Sequence, residues 1–259
     1  MFMISLYFIV LAAAGWMSYK KDLLTLAGAA GMTVIGITII LAFGLPGLAI
    51  IFVFFISSSL IGSALKTSHK FEKPKRTIWQ VAANGGIPFI AAVLFLLHPS
   101  QVWYGVFIGG IVEAASDTWA SEIGKTSRER PFHFRLKRRV TGGLSGAVTI
   151  RGTTASVIGS FAIALISAVW LSSIGMNHFL FYIILFTAAG YLGNLLDTFL
   201  GAWLQAQYYC RKCSSYTDQP VHCNMKTEWQ HGYYWMTNGF VNFLSSLFGG
   251  LLGALVMLL

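Results

Sequence analysis

Charge is scarce in this chain. Only 10% of its 259 residues are Asp, Glu, Lys or Arg, while 56% are hydrophobic. A soluble domain carries about 25% charged residues. The shortage excludes a soluble globular enzyme, a disordered chain and a fibrous protein, and leaves a polytopic membrane protein. Acids are scarcest: nine Asp and Glu stand against 18 Lys and Arg, a net charge of +9. In so apolar a chain that excess fits loops facing anionic lipid and cytoplasm, not a nucleic-acid surface. No Gly-Lys-Ser/Thr sequence ends the glycine-rich stretch, so there is no P-loop. No basic residue precedes the first apolar stretch; Lys20 and Lys21 follow it. A retained anchor with its N-terminus outside fits that order better than a cleaved signal peptide.

What is present is long apolar runs. A bilayer helix needs roughly 20 mostly apolar residues. The sequence predicts an all-α bundle of about eight transmembrane helices, over 2–18, 23–43, 47–65, 78–97, 102–120, 153–174, 177–200 and 236–257. Gly44-Leu45-Pro46-Gly47, Pro99-Ser100 and Gly175 supply the short helix-breaking links. With this count every Lys and Arg falls on one side, which the positive-inside rule makes cytoplasmic, with both termini outside. The whole chain, 1–259, reads as one membrane domain with cytoplasmic loops at 66–77, 121–152 and 205–235.

Five acids, Asp22, Glu72, Glu129, Asp218 and Glu228, fall in loops. The other four do not: Glu113, Asp117 and Glu122 lie in or just beyond the fifth span, and Asp197 lies late in the seventh. Glu113 and Asp117 are four apart and share a helix face. Span directions put Asp117, Asp197, Asn84, Asn238 and Asn242 near the cytoplasmic ends of four helices, so they are expected to converge. Gly110 and Gly190 each stand seven residues before an Asp-Thr-aromatic, which has the form of a degenerate internal repeat. Buried acids can stitch helices by pairing with cations, but no Lys or Arg lies inside a span. Such acids are functional candidates, for a divalent metal or a proton. Hard oxygen ligands suit Mg²⁺.

The longest basic loop carries Arg135, Lys137, Arg138 and Arg139, then Thr141, Gly142, Gly143, Ser145 and Gly146, then Arg151, Gly152 and Thr153. Cations, exposed backbone N–H groups and hydroxyls together make a phosphate cradle. Thr153 and Ser156 are candidate caps for the sixth span. The plain alternative is a flexible positive-inside loop. Beside carboxylates at the same face, the set meets the needs of phosphoryl transfer: metal, charge neutralisation and positioning. All three cysteines share the last loop, as Cys210-Arg-Lys-Cys213 and His222-Cys223, with His231 beyond. Cys-x2-Cys with a later Cys and His is a zinc-like spacing; unliganded thiols are the alternative.

Four motifs carry a resemblance. They are Glu113-Ala-Ala-Ser-Asp117-Thr-Trp-Ala-Ser-Glu122-Ile-Gly124; Thr141-Gly-Gly-Leu-Ser-Gly146; Arg151-Gly-Thr-Thr-Ala-Ser-Val-Ile-Gly-Ser160; and Gly193-Asn194-Leu-Leu-Asp197-Thr-Phe-Leu-Gly201-Ala-Trp-Leu-Gln205. From about Lys73 onward, the chain resembles the integral-membrane family that contains plant phytyl-phosphate kinase. It is similar in outline to membrane dolichol and phytol kinases and to CDP-diacylglycerol synthases, which share Asp-x-x-Ala-x-x-x-Gly, here Asp117, Ala120 and Gly124. The resemblance implies transfer of a phosphoryl group from a nucleotide, CTP first, to a prenyl monophosphate. Asp117 and Asp197, with Glu113 or Glu122, would hold Mg²⁺. Asn84 and Asn194 would orient oxygens, and Lys125, Arg138 and Arg139 would neutralise charge. The expected partners are the lipid membrane, a nucleotide and a prenyl phosphate. Two other classes remain open: a cation- or proton-coupled transporter, and a cytidylyltransferase acting on a lipid phosphate.

Overall fold

A computed structural model describes residues 2–64, 75–140, 142 and 144–259, with side chains from Tyr7 onward. Seven helices account for most of it: α1 (Phe2–Lys20), α2 (Leu26–Ala64), α3 (Ile78–Leu97), α4 (Gln101–Gly124), α5 (Ile150–Ser173), α6 (Phe179–Trp203) and α7 (Asn238–Val256). Five of them, α2, α3, α5, α6 and α7, are long and apolar enough to cross a membrane. In α4 the three acids dilute the apolar character. The chain is a mostly helical, multi-pass integral membrane protein.

The expected second and third spans are the two arms of one 39-residue element, α2, which is non-helical at Gly44. A straight helix of that length would extend about 58 Å, nearly twice the hydrocarbon core. It is not straight. Gly44 has φ 67° and ψ −164°, a conformation reserved for glycine, and Pro46 just after it supplies no N–H. A Cβ built on Gly47 would lie 3.4 Å from Ile39 Cγ2. Residues eight apart in a straight helix are separated by about 12 Å, so the chain folds back at Gly44.

Two contacts fix the direction of α3. Leu24, just before α2, pairs in parallel with Arg76, just before α3. At the far end of the first arm of α2, Phe43 meets Phe95 near the end of α3, with rings 5.1 Å apart. The first arm of α2 and α3 therefore run the same way. Tyr104, Phe107 and Trp170 join Phe43 in an aromatic cluster at that end.

Buried serines and glycines share the interior with large apolar side chains such as Phe107, Phe186 and Leu171, and many more large apolar side chains face outward. Leu41, Phe52, Leu60, Val169, Leu180, Ile184 and Leu251 are exposed, whereas Ser58, Ser116, Ser160, Ser167, Ser245 and Ser246 are buried. Helices that bury small residues and present Leu, Ile and Phe outward suit lipid as their solvent. The closest approach joins α4 and α7. A Cβ on Gly105 or Gly109 would collide with the backbone of Gly253 or Gly249. These are two small-x3-small stripes meeting face to face, which lets the backbones touch.

Helix ends and loops depart from the sequence reading in three places. The fourth helix runs on to Gly124, past the expected end at 120, which puts Glu122 in its last turn. The cap of α5 is Thr149, whose Oγ1 accepts from Gly152 N–H at 3.0 Å. Thr153 and Ser156 are inside the helix, where the Ser156 hydroxyl donates to Thr153 O at 2.8 Å. The loops also carry short strands that no apolar alternation announces. In the first, β1 (Phe132–His133) pairs with both β2 (Arg138–Arg139) and β3 (Ala147–Val148). In the second, β4 (Gln207–Cys210) pairs with β5 (Ser215–Thr217) and β8 (Glu228–His231), while β6 (Val221–His222) and β7 (Met225–Lys226) make a small hairpin.

Candidate functional site

The acids meet between α4, α6 and α7. Glu113 is 1% exposed, and Oε1 has no hydrogen-bond partner. It is seated by glycines: a Cβ on Gly249 would lie 2.7 Å from Glu113 Cβ, and one on Gly193 would collide with Glu113 Cγ. One turn along α4, Asp117 Oδ2 accepts from Asn242 Nδ2 at 3.2 Å. The same Nδ2 donates to Asn84 Oδ1 at 3.4 Å. Residues from α3, α4 and α7 are thus joined through one amide, as the convergence of polar groups at one depth required. Asp197, from α6, lies within electrostatic range of both Asp117 and Glu113 and faces Ser245. Its Oδ2 has no partner, nor have Asn194 Nδ2 and Ser245 Oγ, the latter fully buried.

A buried polar atom left without a partner costs about 1–3 kcal/mol, and more when charged. Four such atoms, from Glu113, Asn194, Asp197 and Ser245, sit on the helices that meet here. Three of the four are oxygens, two from carboxylates and one from a hydroxyl, and such hard donors fit Mg²⁺. Ser245 was not anticipated. In sequence it opens Ser-Ser-Leu-Phe-Gly-Gly, which reads as helix packing.

Glu122 stands apart from the other acids, nearer the surface. Lys125 Nζ binds its Oε1 at 3.0 Å, and Arg76 lies in its field. Lys125 itself is exposed, within electrostatic range of Asp117.

Every described helix end that carries basic residues is on the same face as the acids. The glycine loop is fastened there. Gly146, at φ 80°, packs so closely on Ala202 that a Cβ would collide with it. Gln207 Nε2 donates to Ser145 O at 3.2 Å and to Gly201 O at 3.3 Å. Ser145 is thereby held over the end of α6, about one turn beyond Asp197. Thr141 and Gly143 lie outside the described residues. Gly142 has nothing within 4 Å of a built Cβ. Gly152 serves helix packing: its N–H is taken by Thr149 and it faces Gly124.

Beyond the loop is a cleft of about 380 Å³ between the two small sheets. Arg130, Arg135, Arg138 and Arg139 line it, with Gln207 and His231 on the opposite wall and no acid among its lining residues. Arg139 is partly engaged, through Glu129 Oε2 at 3.4 Å and Arg130 O at 2.9 Å. The arginines were legible in sequence as a charge run, but their opposite wall was not. Gln207 and His231 come from a loop more than 60 residues later.

In the last loop, Cys210 Sγ, Cys213 Sγ, Cys223 Sγ and a His222 ring nitrogen all lie within 4.8 Å of one another. His231 is elsewhere, with Nε2 donating to Trp203 O at 3.0 Å.

A family model described as integral membrane protein DUF92 matches residues 9–250. The chain belongs to this family. The match extends the motif-based resemblance, which began near Lys73, back into the first helix, and confirms it. The relatives are distant, and two of the three match over nearly their full length. An uncharacterized membrane protein of Methanocaldococcus jannaschii is 28% identical over 96% of this chain and 92% of its own. Protein PGR of Arabidopsis thaliana is 27% identical over 92% of this chain and 91% of its own. An uncharacterized membrane protein of Synechocystis is 26% identical over 73% and 74%. No solved structure matches the chain.

Proposed function

We propose that this protein is a membrane kinase that moves a phosphoryl group from a nucleotide, CTP first, to a prenyl monophosphate such as phytyl or geranylgeranyl phosphate. One observation carries the reading: carboxylates with unpartnered oxygens, gathered at the same face as an arginine-lined cleft. A transporter would place its acids near mid-membrane, at broken helices. Here the break is at Gly44, between the two arms of α2 and remote from the acids.

In this reading Asp117 and Asp197, with Glu113 behind them, hold Mg²⁺, which when bound offsets phosphate charge. Asn84 and Asn242 fix the Asp117 carboxylate. Asn194 and Ser245 orient oxygens beside Asp197. The cleft arginines and Lys125 bind the nucleotide phosphates and neutralise charge in the transition state. Ser145 and Gly142 offer donors between the two. The acceptor monophosphate is already anionic, so positioning carries most of the rate and no strong base is needed. Glu122, held by Lys125, is the group to serve an alcohol acceptor instead. The basic face is cytoplasmic by the positive-inside rule, where nucleotides are.

The test is direct. Purified protein is incubated with phytyl or geranylgeranyl phosphate, Mg²⁺ and each of four nucleoside triphosphates. Prenyl diphosphate that depends on Asp117 is the expected product. A CMP-lipid from labelled CTP would indicate cytidylyl transfer, and ion flux without lipid product would indicate a transporter.

A further inference from the structure

The last loop contains a hairpin too small to hold itself. Strands β6 and β7 are two residues each, and Val221 and Met225 are 54% and 49% exposed. An isolated two-stranded hairpin is marginal in water even with longer strands. It buries little, and its links to the β4–β5 turn are few. Lys212 Nζ donates to Cys223 O at 3.3 Å, and the Cys210 thiol to His222 O at 3.8 Å. Small elements of this kind are normally stapled by a disulfide or a metal.

The staple is at hand. His222 Nδ1 lies 3.4 Å from Cys213 Sγ and 3.3 Å from Cys223 Sγ, and Cys210 Sγ completes a set within 4.8 Å. Zinc bonds of about 2.3 Å to sulfur and 2.0–2.1 Å to nitrogen give tetrahedral edges of roughly 3.6–3.8 Å, close to these separations. Cys223 and Asn224, at φ 53° and 59°, are the two turn residues of the β6–β7 hairpin, so the turn itself carries one of the four donors.

We propose that Cys210, Cys213, His222 and Cys223 form a closed structural zinc site that pins the β6–β7 hairpin to the turn between β4 and β5. Three thiolates and one imidazole fill a tetrahedron, which leaves no open position for catalysis. Soft sulfur donors favour zinc over the hard cations that suit the acid cluster. The proposal does not depend on the kinase reading. It concerns a different loop, different donors and a different metal.

The full chain, purified in detergent without chelators, should contain stoichiometric zinc by elemental analysis. Cys213→Ser and Cys223→Ser should each lose most of it, while His231→Gln, a histidine outside the group, should keep it. Because a variant that misfolds would also lose metal, the native chain is treated with chelator and titrated with Co²⁺. Thiolate-to-cobalt charge transfer with the intense d–d bands of a tetrahedral site is expected, together with restored resistance of the Arg211–Glu228 stretch to protease. A folded chain that takes up neither zinc nor cobalt under reducing conditions overturns the proposal. So does zinc that stays bound in both cysteine variants.

Discussion

Asn242 is the residue on which the acid site turns. Its single amide nitrogen serves both Asn84 and Asp117, so Asn242→Ala releases two helices' polar groups at once. We expect a loss of about 1–3 kcal/mol in stability, read by thermal unfolding in detergent, and at least tenfold in prenyl diphosphate formation. Asp117→Asn separates chemistry from structure. The substituted amide can still meet Asn242 through its oxygen, so unfolding should change little while product formation falls by 10² or more, of the order seen when one electrostatic contributor is removed. The acids were readable from sequence because a carboxylate inside an apolar run has few explanations. Ser245 was harder. A serine among glycines is ordinary helix-packing material, and only its full burial without a partner sets it apart.

Pairs of elements carry the remaining stability. The α4–α7 crossing leaves no room for a methyl group at Gly109, whose Cβ would meet the Gly249 backbone. Gly109→Ala should destabilise by about 1–3 kcal/mol, whereas Gly142→Ala, with open space around it, should stay within about 0.5 kcal/mol. Thermal unfolding of both variants checks the contrast. The β1–β2–β3 loop has a pH limit of its own. His133 is fully buried, with Nδ1 accepting from Leu136 N–H at 3.3 Å. Burial, and then the nearby Arg135, lower its pKa below the ordinary 6.5. The folded loop refuses a proton that the unfolded loop accepts, so its stability is intact above pH 6.5 and declines as pH falls below that value. Hydrogen exchange of the 130–148 segment between pH 7.5 and 5 should show loosening at the acid end, abolished by His133→Asn. Helices were legible at this scale because apolar length and breakers suffice. The strands were not. Pairs of two to four residues such as Arg138–Arg139 have no alternation to display, and their partners are distant in sequence. The two arms of α2 and the short break between them at Gly44 were legible, because glycine and proline together cannot continue a helix.

At the scale of the molecule, charge divides into two layers. Carboxylates lie inside the bundle and arginines lie above it, so they should govern different kinetic constants. Paired Arg135→Glu and Arg138→Glu substitutions should raise the nucleotide KM at least tenfold and change kcat far less, the reverse of Asp117→Asn; steady-state kinetics distinguish them. Side assignment is testable on intact cells with single cysteines in a cysteine-free chain. Ser127→Cys should be shielded from a membrane-impermeant thiol reagent and Asn177→Cys should be labelled. The two layers are also joined mechanically. Because Gly146 rests on Ala202 with no space for a methyl, and Gln207 ties Ser145 to Gly201, the basic loop and the last turn of α6 cannot slide past each other. The arginine loop and the helix that carries Asp197 are thus one packed unit. A change at the cleft is therefore expected to reach the last turn of α6 through the Gly146–Ala202 contact.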